Sequence, residues 1–285
     1  MPGAPMVSLD CAGRVLALQP PVVMGVLNVT PDSFSDGGLH LDPAAALAAG
    51  QRMVAEGAAI IDIGAESTRP GAAPVSTEEE LRRVLPVVER AAARLDAVIC
   101  VDTSNPEVMR RAYDSGAQMI NDVRGLRTDG ALEVLAGSRM ALCLMHMRGE
   151  PATMQQQPQY DDVVAEVRDY LAARVRVCVD AGIAPGRLCV DPGFGFGKLL
   201  GHNLLLLRRL GELAALGVPL AVGLSRKSMA AALSGGGGAR APGERLAASL
   251  ALASIAVLHG ARIVRAHDVA ATVDAVRVAS AVAAA

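Results

Sequence analysis

Residues 97–123 read AVICVDTSNPEVMRRAYDSGAQMINDV. Two apolar runs, Ala97 to Asp102 and Gln118 to Val123, flank a stretch of helical character. Neither run alternates. Near-continuous aliphatic and β-branched residues are the pattern of a strand buried on both faces of a parallel sheet. Asn105 is placed as an N-cap, Pro106 suits the first helical turn, and Gly116 closes the helix. The unit is therefore strand, helix, parallel strand. Both strands end on polar groups, Asp102 in one and Asn121 with Asp122 in the other.

The same unit extends in both directions. Further strand runs are Val22 to Asn28, Ala59 to Gly64, Met140 to His146, Arg187 to Asp191, Pro219 to Leu224 and Arg262 to His267, which makes eight. Helical periods cover Pro43 to Gly57, Thr77 to Leu95, Tyr160 to Gly182, Asn203 to Gly217, Gly243 to Gly260 and Asp268 to Ala283. Thr77-Glu78-Glu79-Glu80 puts acids where a helix dipole favours them. Eight βα units in 285 residues predict an α/β protein, a (β/α)8 TIM barrel in one domain. A doubly wound sheet is the structural alternative. Residues 1–20 precede the first barrel strand as an N-terminal extension, and residues 21–285 form the barrel. The pattern from Val7 to Leu18, around Ala12-Gly13, predicts a hairpin plugging the barrel bottom. Gly235 to Gly238 reads as a surface loop.

Composition narrows the function. Apolar residues make up 52% and formal charge is −2, so a disordered chain, a general nucleic-acid binder and a membrane binder are not expected. The longest weakly polar run, Leu246 to Leu258, is 13 residues, too short to span a bilayer. Met1-Pro2-Gly3-Ala4-Pro5 lacks a basic segment followed by an apolar one, so no signal peptide is expected. Cys11, Cys100, Cys143, Cys178 and Cys189 show no CxxC pair; the expectation is buried reduced thiols in a cytosolic protein. Of 27 basic residues only Lys198 and Lys227 are lysines, and the only phenylalanines are Phe34, Phe194 and Phe196. All five fall in short Gly/Ser-rich segments.

Each strand ends in a polar group: Asn28; Asp62 with Glu66; Asp102; Asn121 with Asp122; His146; Asp191; Ser225; and Arg265 with His267. In this fold the site lies at the C-terminal mouth, built from strand ends and βα loops. Residues 30–38 and 66–71 are rich in turn formers and read as lid loops. Phe34 in such a loop points to ligand contact, with local packing as the plain alternative. The run Asp191-Pro192-Gly193-Phe194-Gly195-Phe196-Gly197-Lys198 fails both GxxxxGK[ST] and GxGxxG, because its glycines alternate strictly. Ser225-Arg226-Lys227-Ser228 and Arg265-Ala266-His267 bring three cations to the last two strands, where barrels often bind phosphate. A chain that uses Arg nearly everywhere and keeps Lys at 227 points to a need for a compact ammonium; a Schiff-base lysine or a solvated surface lysine are the alternatives. His146 reads as a packed or supporting histidine. No HxH follows the first strand, which disfavours a zinc hydrolase.

Four segments resemble bacterial dihydropteroate synthase: residues 28–38 (NVTPDSFSDGG), 66–71 (ESTRPG), 191–198 (DPGFGFGK) and 225–228 (SRKS). The likeness runs from Val22 to the C-terminal helix in family order. It departs at Ala65, where the family usually has Gly. The resemblance implies a cytoplasmic transferase of folate biosynthesis and a homodimer, with sulfonamides as inhibitors at the aminobenzoate site. It implies two small-molecule substrates, 4-aminobenzoate and (7,8-dihydropterin-6-yl)methyl diphosphate. By position it makes Asn28 the Mg2+ ligand. It assigns Thr68, Asp102, Asn121, Asp191, Lys227, Arg265 and His267 to the pterin diphosphate, and Phe34, Arg69, Pro70 and Ser228 to the aminobenzoate.

The residues' own chemistry agrees. Adjacent N–H donors on a pterin edge suit a carboxylate acceptor such as Asp191, beside Asp102 and Asn121. Arg265, His267 and Mg2+ suit the charge that builds on a departing diphosphate. An aniline needs no strong base, which fits the absence of a Ser/His/Asp or Cys/His set. The nearest rival is a pterin-binding barrel that moves a methyl group from a methyl-folate. A Lys227 Schiff-base aldolase and a silent pterin-binding barrel are the others.

Overall fold

The computed structural model describes residues 7–29, 42–64, 75–149, 153–155, 157–234 and 240–285. The chain opens with β1 (Ser8–Cys11) and β2 (Arg14–Ala17), an antiparallel hairpin in register Ser8 to Ala17. Its two-residue turn, Ala12 at φ 56° and Gly13 at φ 91°, has the left-handed backbone that suits strand twist. Asp10 Oδ1 accepts from the Gly13 amide at 2.7 Å and fixes that turn.

Then follow β3 (Val22–Asn28), α1 (Pro43–Ala55), β4 (Ala58–Gly64), α2 (Thr77–Arg94), β5 (Val98–Asp102), α3 (Pro106–Asp114), β6 (Met119–Asp122) and α4 (Ala131–Ala136). The second half is β7 (Ala141–Met145), α5 (Val163–Asp180), β8 (Leu188–Asp191), α6 (Leu200–Arg208), α7 (Gly211–Ala214), β9 (Ala221–Gly223), α8 (Ser228–Leu233), α9 (Leu246–Leu258), β10 (Ile263–Ala266) and α10 (Val269–Ala284). Seven parallel ladders join β8-β7-β6-β5-β4-β3-β10-β9, and a single Val190–Leu220 bridge closes the ring. This is the predicted (β/α)8 barrel, and the doubly wound alternative falls with the closure.

Capping chemistry places the helices. Ser76 Oγ accepts from Glu79 N at the start of α2, Asn105 Oδ1 from Glu107 N at α3, and Asp162 Oδ1 from Val164 N and Ala165 N at α5. The helices depart from the expectation in two ways. The run read as one helix from Asn203 to Gly217 is two, α6 and α7. Short α4 and α8 arise where only loop was read.

The core has two layers. Between sheet and helices, Ile61, Ile63, Val101, Leu142 and Leu144 pack against helix residues such as Val84, Val88 and Val167. Each such fully buried aliphatic side chain contributes about 1.5–3 kcal/mol. Inside the barrel, Met24, Ile60, Cys100, Met119, Cys143, Cys189, Ala221 and Ile263 meet, one or more from every barrel strand. Leu9 and Cys11 of the hairpin and Leu18 just after it join this inner cluster. The hairpin thereby covers the N-terminal end of the lumen and leaves the opposite mouth for chemistry. All five cysteines are buried free thiols. Burial pushes the Cys11 thiol up to about 12 and Cys178 to about 11, and raises Cys100 well above its ordinary value. Among the described residues no helix is long and apolar enough to cross a membrane.

Candidate active site

Inward-facing positions at the strand C-termini carry the charges. Asp62 on β4 is 0% exposed, and its Oδ2 accepts from Arg265 Nε at 2.6 Å. Asn121 Nδ2 on β6 donates to the same oxygen at 3.5 Å. Arg265 on β10 also donates from Nη2 to Asp102 Oδ2 on β5, at 2.8 Å. One guanidinium is thus forked between two carboxylates on different strands. Asp62 Oδ1 is buried without a hydrogen-bond partner. Burial pushes Asp102 up to about 7, against the pull of Arg265. Burial also opposes the charge on Arg265, but Asp62 and Asp102 outweigh it and hold the group above its ordinary value.

A second set stands beside this one. Asp191, at the end of β8, is nearly buried, and its Oδ1 accepts from Gly193 N at 2.7 Å. Burial raises its pKa, with Lys227 and Arg265 pulling the other way. Lys227 precedes α8, and its Nζ donates to the Phe194 carbonyl while lying 4.7 Å from the Phe196 ring centroid. Burial lowers this ammonium to about 8, and the charge of Asp191 opposes the drop. His267 Nδ1 lies 3.1 Å from Ser225 Oγ, which also accepts from the His267 amide at 3.3 Å.

Not every strand-end charge faces the mouth. Arg226, one of the three cations expected to meet an anion, is tied to Asp268 through Nε at 3.0 Å and Nη2 at 2.5 Å. Its left-handed backbone (φ 59°) is pinned by a bond from its amide to Ser249 Oγ. Asp122 is spent on its own loop, accepting from Arg124 N, Leu126 N and Ser104 Oγ.

The Asp191–Lys198 segment explains the sparing use of Lys and Phe. Gly193, Gly195 and Gly197 have φ of 68°, 80° and 63°, a coil that alternating glycines allow. Phe194 is fully buried and belongs to the core, so it anchors the loop from below. Every carbonyl from Gly193 to Gly197 is held by a side chain. Lys198 Nζ donates to Gly193 O at 3.0 Å and Phe196 O at 3.1 Å, Lys227 Nζ to Phe194 O, Gln155 Nε2 to Gly195 O, and Tyr160 Oη to Gly197 O at 2.8 Å. Asn203 Oδ1 accepts from Gly195 N at 2.9 Å. Buried Lys198 also lies 2.9 Å from His146 Nδ1. Burial lowers the Lys198 ammonium well below its ordinary value, with the charge of Asp191 opposing; as an ammonium it can only donate, which assigns Nδ1 as the acceptor and the ring proton to Nε2. His146 is a packed supporting residue, edge-on to Tyr170 at 4.9 Å.

Burial, then the charge of Lys198, lowers His146 to about 2, while an unfolded histidine titrates near about 6.5. The unfolded chain therefore takes up this proton and the folded chain does not. The stabilisation is full above about pH 6.5 and is lost as pH falls below it, by about 1.4 kcal/mol per pH unit. Urea titrations from pH 7 to 4.5 are expected to show this extra slope in the wild type and not in His146→Asn. Parallel curves would contradict the assignment.

Of the sequence-predicted residues, Asp102, Asn121, Asp191, Lys227, Arg265 and His267 stand together at this mouth, and Asn28 ends the neighbouring β3. Ser228 is the exposed first residue of α8. Phe34, Glu66, Thr68, Arg69 and Pro70, the two lid loops and residues 235–238 lie outside the described residues. Sequence reading missed four contributors. Asp62 was noted as a strand-end acid but not as the holder of Arg265, and Lys198 not as the holder of a loop. Val123 and Met145, nearly buried, cluster with Met147, Met154 and Phe196 as an apolar wall beside the carboxylates. Their only sequence signal was position, at or just beyond the ends of β6 and β7.

A polar mouth that sets the carboxylates of Asp62, Asp102 and Asp191 and the cations Arg265 and Lys227 beside one apolar wall suits a polar heterocycle with an anionic arm. The model of the family described as pterin binding enzyme matches residues 24–267, and the chain belongs to that family. Dihydropteroate synthase of Escherichia coli (strain K12) is 53% identical over 273 residues, 96% of this chain and 95% of the relative. Xanthomonas albilineans dihydropteroate synthase, solved with 4-aminobenzoic acid, is 52% identical with a TM-score of 0.91, covering 98% and 99% of the two chains. The same organism's enzyme in complex with 7,8-dihydropteroate is 50% identical at a TM-score of 0.88, again over 98% and 99%. Within the pterin-binding family the chain thus belongs with the dihydropteroate synthases, transferases of folate biosynthesis.

Proposed function

We propose that this chain condenses (7,8-dihydropterin-6-yl)methyl diphosphate with 4-aminobenzoate, giving 7,8-dihydropteroate and pyrophosphate by a dissociative path. The observation that carries it is Arg265, forked between Asp62 and Asp102 at a mouth whose other wall is Asp191 and Lys227. Asp191 and Asn121 would bind the pterin's donor edge, with its ring against Val123 and Met145. Arg265, its fork fixed in advance, would donate to the diphosphate as the C–O bond breaks and charge builds on oxygen. His267, oriented by Ser225, and Thr68 would share that charge. Bond cleavage leaves a methylene cation conjugated with the pterin. The aniline nitrogen of 4-aminobenzoate attacks it and then loses a proton. Phe34, Arg69, Pro70 and Ser228 would border the aminobenzoate.

We infer Mg2+ as the metal, held through Asn28 and the diphosphate. Among the described residues no cluster of three His, Cys, Asp or Glu can hold a metal. Asn28 offers one neutral oxygen where Mg2+ usually takes one or two carboxylates, so substrate phosphates and water would supply most of its shell. Bound there, Mg2+ would neutralise charge on the leaving group. Pyrophosphate release with both substrates tests the reading; binding of both without release would favour a silent barrel. A methyl-folate transferase would share the Asp102, Asn121 and Asp191 wall, but would not need residues 30–38 and 68–71 or the Arg265-Ala266-His267 cluster.

Asp191→Asn is expected to weaken binding of a non-reactive pterin analogue by about 1–3 kcal/mol, because a charged acceptor is lost opposite N–H donors. Calorimetry reads this directly, and unchanged affinity would place the pterin elsewhere. A homodimer in the cytoplasm completes the proposal. Ile255 and Leu258, three residues apart on one side of α9 and both exposed, would give a second copy an apolar contact. Ile255→Glu combined with Leu258→Glu is expected to sediment as a monomer; a persisting dimer would move the interface off α9.

A further inference from the structure

Lys198 has no hydrogen bond to the strand-end groups placed on the substrates, yet among the described residues it is the most buried cation in the mouth, 2% exposed. The geometry points to Lys198, held by His146, as a positioning residue that sets the ammonium of Lys227 for the pterin substrate. The inference rests on the reading just given.

The chain of contacts is short. Lys198 Nζ grips the carbonyls of Gly193 and Phe196 at 3.0 and 3.1 Å. The Phe196 amide closes the same turn on Gly193 O at 3.1 Å. The Phe194 carbonyl, enclosed within that turn, accepts from Lys227 Nζ. The Phe196 ring lies under the same ammonium at 4.7 Å. Two of the contacts that place Lys227 are therefore on the segment that Lys198 holds. An ammonium has three donors, and here three acceptors surround it: two carbonyls and His146 Nδ1. His146 also ties the loop to the end of β7, where the Gly193 backbone passes so close that an added Cβ would lie 1.9 Å from His146 O. Methionine has the length without the donors, and a guanidinium presents its donors in a planar fork instead of a compact point.

A residue that acts through Lys227 loses its effect once Lys227 is gone, whereas a merely structural residue costs the same in either background. The experiment is a double-mutant cycle of Lys198→Met and Lys227→Met, read by calorimetric affinity for a pterin analogue and by kcat and KM. Alone, Lys198→Met is expected to weaken the analogue about tenfold. In the Lys227→Met background it is expected to weaken it by less than twofold. A tenfold loss in both backgrounds, or none in either, overturns the inference. If Lys198→Met does not fold, His146 decides. His146→Asn keeps an acceptor near the Nδ1 position and is expected to stay within about twofold of wild type, while His146→Leu loses about fivefold. Equal behaviour of these two variants overturns the inference. Wild-type protein that forms dihydropteroate while the cycle is additive removes only the role of Lys198. Wild-type protein without turnover removes the reading beneath it.

Discussion

Arg265→Met is expected to lower stability by about 3–5 kcal/mol and turnover by about a thousandfold. The stability loss follows from what stays behind. Asp62 is fully buried, one of its oxygens already lacks a partner, and the other loses its 2.6 Å bond to the guanidinium. An uncompensated buried carboxylate costs that much, more than the net worth of the ion pair. The turnover loss follows from removing the preset donor at the point where the leaving group gathers charge. The two effects are separable. Adding Asp62→Leu removes the stranded charge and is expected to restore at least about 2 kcal/mol, because apolar replacement of a buried pair is often neutral or stabilising. It is not expected to restore activity. Urea denaturation and a pyrophosphate assay on both variants check this. Recovery of both together would mean that Arg265 serves the fold alone.

Gly193→Ala is expected to be the most damaging Gly→Ala change among the described residues, costing more than about 4 kcal/mol or abolishing folding. Its Cβ would stand 1.9 Å from the His146 carbonyl oxygen, a backbone atom that cannot swing aside, and its φ is 68°. Gly195→Ala makes the control. Its φ of 80° is equally left-handed, but its Cβ meets only Lys227 Cδ at 3.4 Å. The left-handed backbone alone then costs about 1–2 kcal/mol. Thermal denaturation of the two variants separates close approach from backbone strain. Equal losses would show that φ, not the His146 carbonyl, demands glycine there.

The barrel was legible because its strands are buried on both faces, so each reads as an unbroken apolar run. The strand from Val22 to Asn28 matched to the residue, and others were trimmed by one or two, as at Pro219 and Leu224 beside β9. The short helices were not legible. α4 begins at Gly130 in a left-handed conformation without a side-chain cap, and six residues are too few to show a period. α8 follows Lys227 with no side-chain cap, inside a segment that reads as polar loop. In the site, strand position marked Asp102, Asn121, Asp191 and Lys227 as residues of the mouth, but it marked Asp62 and Asp122 equally, and only the family resemblance set the first group apart. Pairing was out of reach. Arg265 meets Asp62 across 203 residues, and Lys198 meets His146 across 52. A one-dimensional pattern shows which charges exist, not which of them cancel. Arg226 and Arg265 look alike in sequence, yet one is spent on Asp268 and the other is aimed by two acids.

The buried thiols make the chain its own stopwatch. All five cysteines are buried, four of them lining the barrel interior, and Cys11, Cys100, Cys143 and Cys178 are held in the protonated, unreactive form. An alkylating reagent attacks only thiolate that it can reach. The native molecule is therefore silent, and each label records an opening event. With reagent in excess, labelling proceeds at the opening rate itself. Cys178, on α5 outside the sheet, reports the peeling of one helix. The other four report the parting of the ring, so mass spectrometry of partly labelled protein would time the two events separately, without a dye or an engineered probe.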